Sequence, residues 1–134
     1  MISFFIAYGI ATLILFVLDF IWLGVVAKDF YSNQLGNLMV DQVKFGIASA
    51  FYLTYTVGIV ILAVKPALDA NNILIAVGYA ALFGFLAYGT YNFTNMSTLK
   101  DWPMMMSLVD IVWGTTLTII TATVTYLIMK KYFS

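Results

Sequence analysis

Residues 2–27 read ISFFIAYGIATLILFVLDFIWLGVVA, and a single charge, on Asp19, interrupts them. A helix rises about 1.5 Å per residue, so about 20 apolar residues cross the roughly 30 Å hydrocarbon core of a bilayer. This stretch is long and apolar enough to do so. It lacks a basic leading segment and a small-residue cleavage site, and it reads as a retained helix and not a signal peptide. Working outward, apolar stretches of similar length follow at about 44–64, 72–93 and 103–129. Lys65-Pro66 is expected to end the second, and Asp69-Ala70-Asn71-Asn72 to turn the chain back into the third. Pro103 opens the fourth at a first-turn position that tolerates a missing N–H. The fold class is all-α: an integral membrane four-helix bundle, read as a single transmembrane domain over residues 1–134. Between helices 1 and 2, Lys28 to Met39 carries Tyr31, Leu35, Leu38 and Met39 at helical spacing among polar residues, the pattern of a short interfacial segment.

The rest of the composition agrees. Of 134 residues, 63% are hydrophobic and 9% charged, against roughly 25% charged in an average soluble domain. Six Lys and six Asp sum to zero, which leaves no basic surface for nucleic acid. His, Cys, Glu and Arg are absent. That excludes imidazole and thiolate metal sites, iron–sulfur clusters, disulfides, Ser-His or Cys-His nucleophiles and the bidentate Arg clamp. No metal or cofactor is expected, and any chemistry falls to Asp, Lys, Tyr, Trp, Asn, Ser and Thr.

Two intramembrane carboxylates lie in matching segments, Leu18-Asp19-Phe20-Ile21-Trp22-Leu23-Gly24 and Val109-Asp110-Ile111-Val112-Trp113-Gly114. Each is an Asp-x-x-Trp, and a spacing of three puts carboxylate and indole on one helical face. With four spans, the end of the first and the start of the fourth lie on one membrane side, which puts both carboxylates at similar depth. The third helix ends there too, bringing Tyr88, Tyr91, Asn92 and Asn95, with Lys100 just beyond. Candidate ligand-binding residues are thus Asp19, Trp22, Tyr88, Tyr91, Asn92, Asn95, Lys100, Asp110 and Trp113. Asp19 and Asp110 are the acid and base candidates if a reaction is catalysed, although catalysis is not the expectation. A carboxylate facing lipid costs about 2.5–3.5 kcal/mol or more, so both are expected to turn inward.

Stripes at heptad-like spacing support this: Tyr8, Thr12, Leu15, Asp19 and Trp22 on the first helix, Gly78, Ala81, Phe85, Tyr88, Asn92 and Asn95 on the third, Ser107, Asp110, Gly114, Leu117 and Thr121 on the fourth. Small residues every four, Gly46, Ala50, Thr54 and Gly58 on the second helix and Ala76, Ala80 and Gly84 on the third, read as helix-packing faces, within the chain or in a homo-oligomer. Met104-Met105-Met106 reads as packing and not a Cu(I) site, because three consecutive residues diverge around a helix.

Three uses of the polar cluster stay open. It is a pocket for a membrane lipid or other amphiphile, the site of a small proton-coupled transporter with a membrane-buried Asp, or a purely structural network in an accessory membrane subunit. Lysines divide three against three between the membrane sides, with Lys130-Lys131 favouring cytoplasmic termini.

The first Asp-x-x-Trp segment with Phe30-Tyr31, and the block from Tyr91 to Pro103 leading into Val109-Asp110-Ile111-Val112-Trp113-Gly114, resemble a family of small bacterial membrane proteins known only as a domain of unknown function. The resemblance covers nearly the whole chain. It implies a multi-pass protein of the bacterial inner (cytoplasmic) membrane, and the common proximity of relatives to fatty-acyl modification genes leans towards lipid. Relatives often carry Asp in the Tyr91-Asn92 pair, where this chain has Asn92.

Overall fold

The computed structural model describes residues 2–39 and 44–133. Met1, residues 40–43 and Ser134, included in the expected domain extent, lie outside the described residues. Every described element is helical: α1 (Ile2–Ile21), a π-helical turn (Trp22–Val26), α2 (Lys28–Leu35), a 3₁₀ turn (Gly36–Leu38), α3 (Phe45–Ile59), a second π-helical turn (Val60–Val64), α4 (Lys65–Ala70), α5 (Ile73–Thr98) and α6 (Met104–Tyr132). Four stretches are long and apolar enough to cross a membrane: Ile2–Val26, Phe45–Ala70, Ile73–Thr98 and Met104–Tyr132. The chain is an all-α, multi-pass membrane bundle.

Several helix ends differ from the sequence expectation. The second span does not stop at Lys65-Pro66; it continues to Ala70. A π turn precedes the proline, with the Lys65 N–H reaching back to the Val60 carbonyl. The widened turn gives room to a ring that would otherwise meet the carbonyl four residues earlier. Asp69 is therefore helical, pairing with Lys65 at 2.8 Å. The turn itself is Asn71-Asn72. Asn71 adopts the left-handed conformation that Asn tolerates, and the Asn72 side chain caps α5 by accepting from the Leu74 N–H at 3.0 Å. The third helix outlasts its apolar run by five residues, ending at Thr98 and not near 93. Ser97 and Thr98 turn their hydroxyls onto the carbonyls of Phe93 and Thr94, so polar side chains ride on an unbroken helix. The fourth helix likewise runs on to Tyr132, with Lys130 and Lys131 in its last turn, where cations complement the helix dipole.

Small residues set the closest helix approach. Ala76, Ala80 and Gly84 are buried in α5, the helix that packs most extensively on α6. A Cβ on Gly84 would sit 3.0 Å from the Gly114 carbonyl oxygen and 2.8 Å from the Thr118 hydroxyl. Gly114 is tighter still, because a Cβ there would stand 2.1 Å from the Tyr88 ring. Within the chain, the seam expected on the second helix is used at one position. Gly46, Ala50 and Thr54 are exposed, and only Gly58 packs closely, against Phe83. The stripe expected on α5 is also rotated: Gly78 and Phe85 face outward, and the buried line runs through Ala76, Ala80, Gly84 and Asn92. The four-residue small stripe, and not the heptad, marks the inner face there. The fourth-helix stripe is buried apart from Asp110, which is half-buried.

Gly114→Ala is expected to destabilise the protein by about 1–3 kcal/mol by displacing Tyr88. Gly46→Ala, in open space, is expected to be neutral or stabilising by up to about 1 kcal/mol. Thermal unfolding in a nonionic detergent checks the contrast.

Candidate functional site

Each Asp-x-x-Trp helix turn points its carboxylate at the other motif's surroundings. Asp19, 5% exposed, accepts from the Trp113 indole N–H at 3.0 Å and from the Tyr52 hydroxyl on α3. Asp110 accepts from the Tyr31 hydroxyl on α2 at 2.9 Å and from the Asn92 amide on α5 at 2.8 Å. The Trp22 indole donates to the Tyr31 oxygen at 3.1 Å, so the first motif reaches the second carboxylate through one hydroxyl. The two indoles stack, with ring centroids 4.5 Å apart and planes 8° from parallel. The motifs are thus joined crosswise, directly at Asp19 and by one relay at Asp110.

The local structure explains the placement. The π turn at Trp22–Val26 precedes Ala27, whose buried backbone starts α2 at once. This sharp return carries Tyr31 back to the bundle. Asp19 lies seven residues before the end of the first span and Asp110 six residues after the start of the fourth, so both sit about 10 Å inside the same end. The interhelical segment is helical, as its spacing implied, but Tyr31 and Leu35 line the interior cavity while Leu38 and Met39 are exposed.

Around the pair lies a cavity of about 400 Å³. Six of the nine residues expected from sequence line it: Asp19, Trp22, Tyr88, Tyr91, Asp110 and Trp113. Asn92 stands behind the wall. Its amide bridges Asp110 and the Tyr88 carbonyl, and its own oxygen, fully buried, has no hydrogen-bond partner. Asn95 and Lys100 do not line the cavity. The longer α5 carries Lys100 past the helix end, where it is exposed. Tyr31 and Tyr52 were missed, together with the apolar lining residues Leu23, Leu35, Phe51, Ala87 and Met106. A signal for Tyr52 existed: Tyr52, Tyr55 and Thr56 form an i, i+3, i+4 polar stripe in the middle of the second span. Tyr55 bonds Thr118 at 2.7 Å, and Thr56 bonds Thr12 at 3.1 Å.

All four donors to the carboxylates are neutral. No described lysine lines the cavity, and all six are exposed. Among the described residues there is no cluster of three or more metal-ligating side chains.

The family described as predicted membrane protein (DUF2177) matches residues 4–127. The chain belongs to it. Both Asp-x-x-Trp motifs, α2 and the Asn92 turn of this DUF2177 protein fall within the matched range. No curated protein and no solved structure matches it.

Burial, and next the charge of Asp110, push the Tyr31 phenol above its ordinary value of 10.0, so it remains a donor. A phenol that stays protonated when folded but ionises when unfolded contributes stability below that ordinary value and loses it as pH rises further. The wild type is therefore expected to lose more stability between about pH 9 and 11 than Tyr31→Phe does. At neutral pH, Tyr31→Phe is expected to cost about 1–3 kcal/mol by leaving an Asp110 oxygen and the Trp22 N–H unpaired. Unfolding measured across that pH range checks both.

Proposed function

We propose that this protein binds a membrane lipid or comparable amphiphile in the cavity between its spans. The observation that carries the proposal is a cavity with a polar wall and an apolar, open rim. Asp19 and Asp110 stand within it, while Leu23, Phe51 and Tyr91, also lining it, are 46%, 52% and 55% exposed on the outer face of the bundle. A chain entering between these rim residues would pass from hydrocarbon to polar groups without crossing the interface. The volume falls within the range of small-molecule sites, roughly 300–1,000 Å³.

A purely structural network explains the hydrogen bonds and not the space. Carboxylates that serve only to fasten helices are best enclosed by close packing, since voids forfeit dispersion contacts. Aromatic walls around an open volume suit an occupant. We assign no reaction to the aspartates; our proposal is one of binding. The family resemblance supports setting it in a bacterial inner membrane.

Ala87 lines the cavity with a single methyl, and Ala87→Phe would fill it without touching a hydrogen bond. Native mass spectrometry of protein extracted in nonionic detergent is expected to show a lipid-sized adduct whose occupancy drops about tenfold in Ala87→Phe. Wild-type protein that carries no adduct, or the same occupancy in the filled variant, counts against binding.

A further inference from the structure

Three of the four groups that meet the cavity's carboxylates are committed donors. Trp113 and the Asn92 amide supply N–H groups, which only donate. At Asp110 the other partner is equally committed, because the Trp22 N–H occupies the Tyr31 oxygen and directs the phenol hydrogen onto the carboxylate. Each of the four oxygens receives a hydrogen bond from a neutral donor. At Asp110 this is the hydrogen-bond pattern of an ionised side chain, while at Asp19 only the Trp113 N–H is bound to donate.

Two carboxylates in one membrane-embedded cavity need a counter-charge wherever they are ionised. The described residues supply none there: every lysine is exposed, none lines the cavity, and the Lys65–Asp69 ion pair lies near the turn between α4 and α5. Uncompensated buried charge is costly, and the carboxylates either take up protons or meet a cation brought from outside. The walls suit one. Trp22, Tyr31, Tyr52, Tyr88, Tyr91 and Trp113 line the same volume, and aromatic rings attract ammonium groups through their negative faces, more strongly where water is excluded. A phosphate or carboxylate headgroup would meet no positive group.

We propose that the cavity selects a cationic ligand, an amphiphile whose polar end is an ammonium group set between Asp19, Asp110 and the aromatic walls. This rests on the binding proposed above, and it fixes the chemical class of the occupant. The same ammonium chemistry occurs in a lipid headgroup and in a free soluble amine; the rim residues Leu23, Phe51 and Tyr91 favour the chain-bearing form.

Titration of the wild-type protein in maltoside micelles, which hold no competing ammonium, separates charge from chain. The probes are octyltrimethylammonium, octyl glucoside, octyl phosphate and tetramethylammonium, read by calorimetry against protein-free micelles. Octyltrimethylammonium is expected to bind at least about tenfold more tightly than octyl glucoside, with octyl phosphate and tetramethylammonium weaker still. Equal binding of the three octyl probes overturns the cation inference while leaving the amphiphile pocket standing. Equal binding of tetramethylammonium and octyltrimethylammonium, with the glucoside and phosphate silent, keeps the cation and overturns the amphiphile. Binding by none overturns both. Asp110→Asn is expected to remove most of the preference for charge, and the probe comparison on unaltered protein stands if that variant does not fold.

Discussion

A carboxylate within the hydrocarbon span of a helix must have its oxygens hydrogen-bonded by protein, and the two that this chain carries organise nearly every element around them. Asp19 on α1 is met from α3 by Tyr52 and from α6 by Trp113. Asp110 on α6 is met from α5 by Asn92 and from α2 by Tyr31. All four spans and the short connecting helix therefore converge on two side chains. Association in lipid has no hydrophobic drive between helices, so packing of small residues and such polar ties must supply it. Gly84 and Gly114 let α5 and α6 close together, and the Tyr88 ring fits over Gly114 beside the cavity.

The four spans were legible because their apolar length leaves no alternative, and the importance of the aspartates because charge inside a membrane is costly. The matching Asp-x-x-Trp spacing also pointed to a shared site, with indole and carboxylate on one face of each helix. Sequence could not show that each indole serves the other motif's carboxylate, since that depends on how two helices rotate against each other. Tyr31 lay hidden for a different reason. Its position follows from a π turn, and nothing in Trp22-Leu23-Gly24-Val25-Val26 announces a wider hydrogen-bond register. The same applies at Val60–Val64, where a π turn let the second span pass the proline expected to end it. On the second helix, the row of small residues meets a helix of the same chain only at Gly58, because spacing alone does not say which partner lies opposite.

Neutral partners at both carboxylates, and no lining cation among the described residues, give the cavity its chemical character. A polar network built only to fasten helices would gain from a lysine or from close packing; here about 400 Å³ lies between aromatic rings and two carboxylates. The proposals of amphiphile binding and of ammonium selection rest on the same arrangement, the first on its open apolar rim and the second on its two carboxylates without a lining lysine.

The crosswise bond between Asp19 and Trp113 ties the two motifs directly, and its coupling energy is the most direct measure of the account. A double-mutant cycle with Asp19→Asn and Trp113→Phe, read as unfolding free energy in nonionic detergent, is expected to give a coupling of about 1.5–3 kcal/mol, as for a hydrogen bond to a charged group. Additive effects, with coupling below about 0.5 kcal/mol, would contradict the joined-motif site.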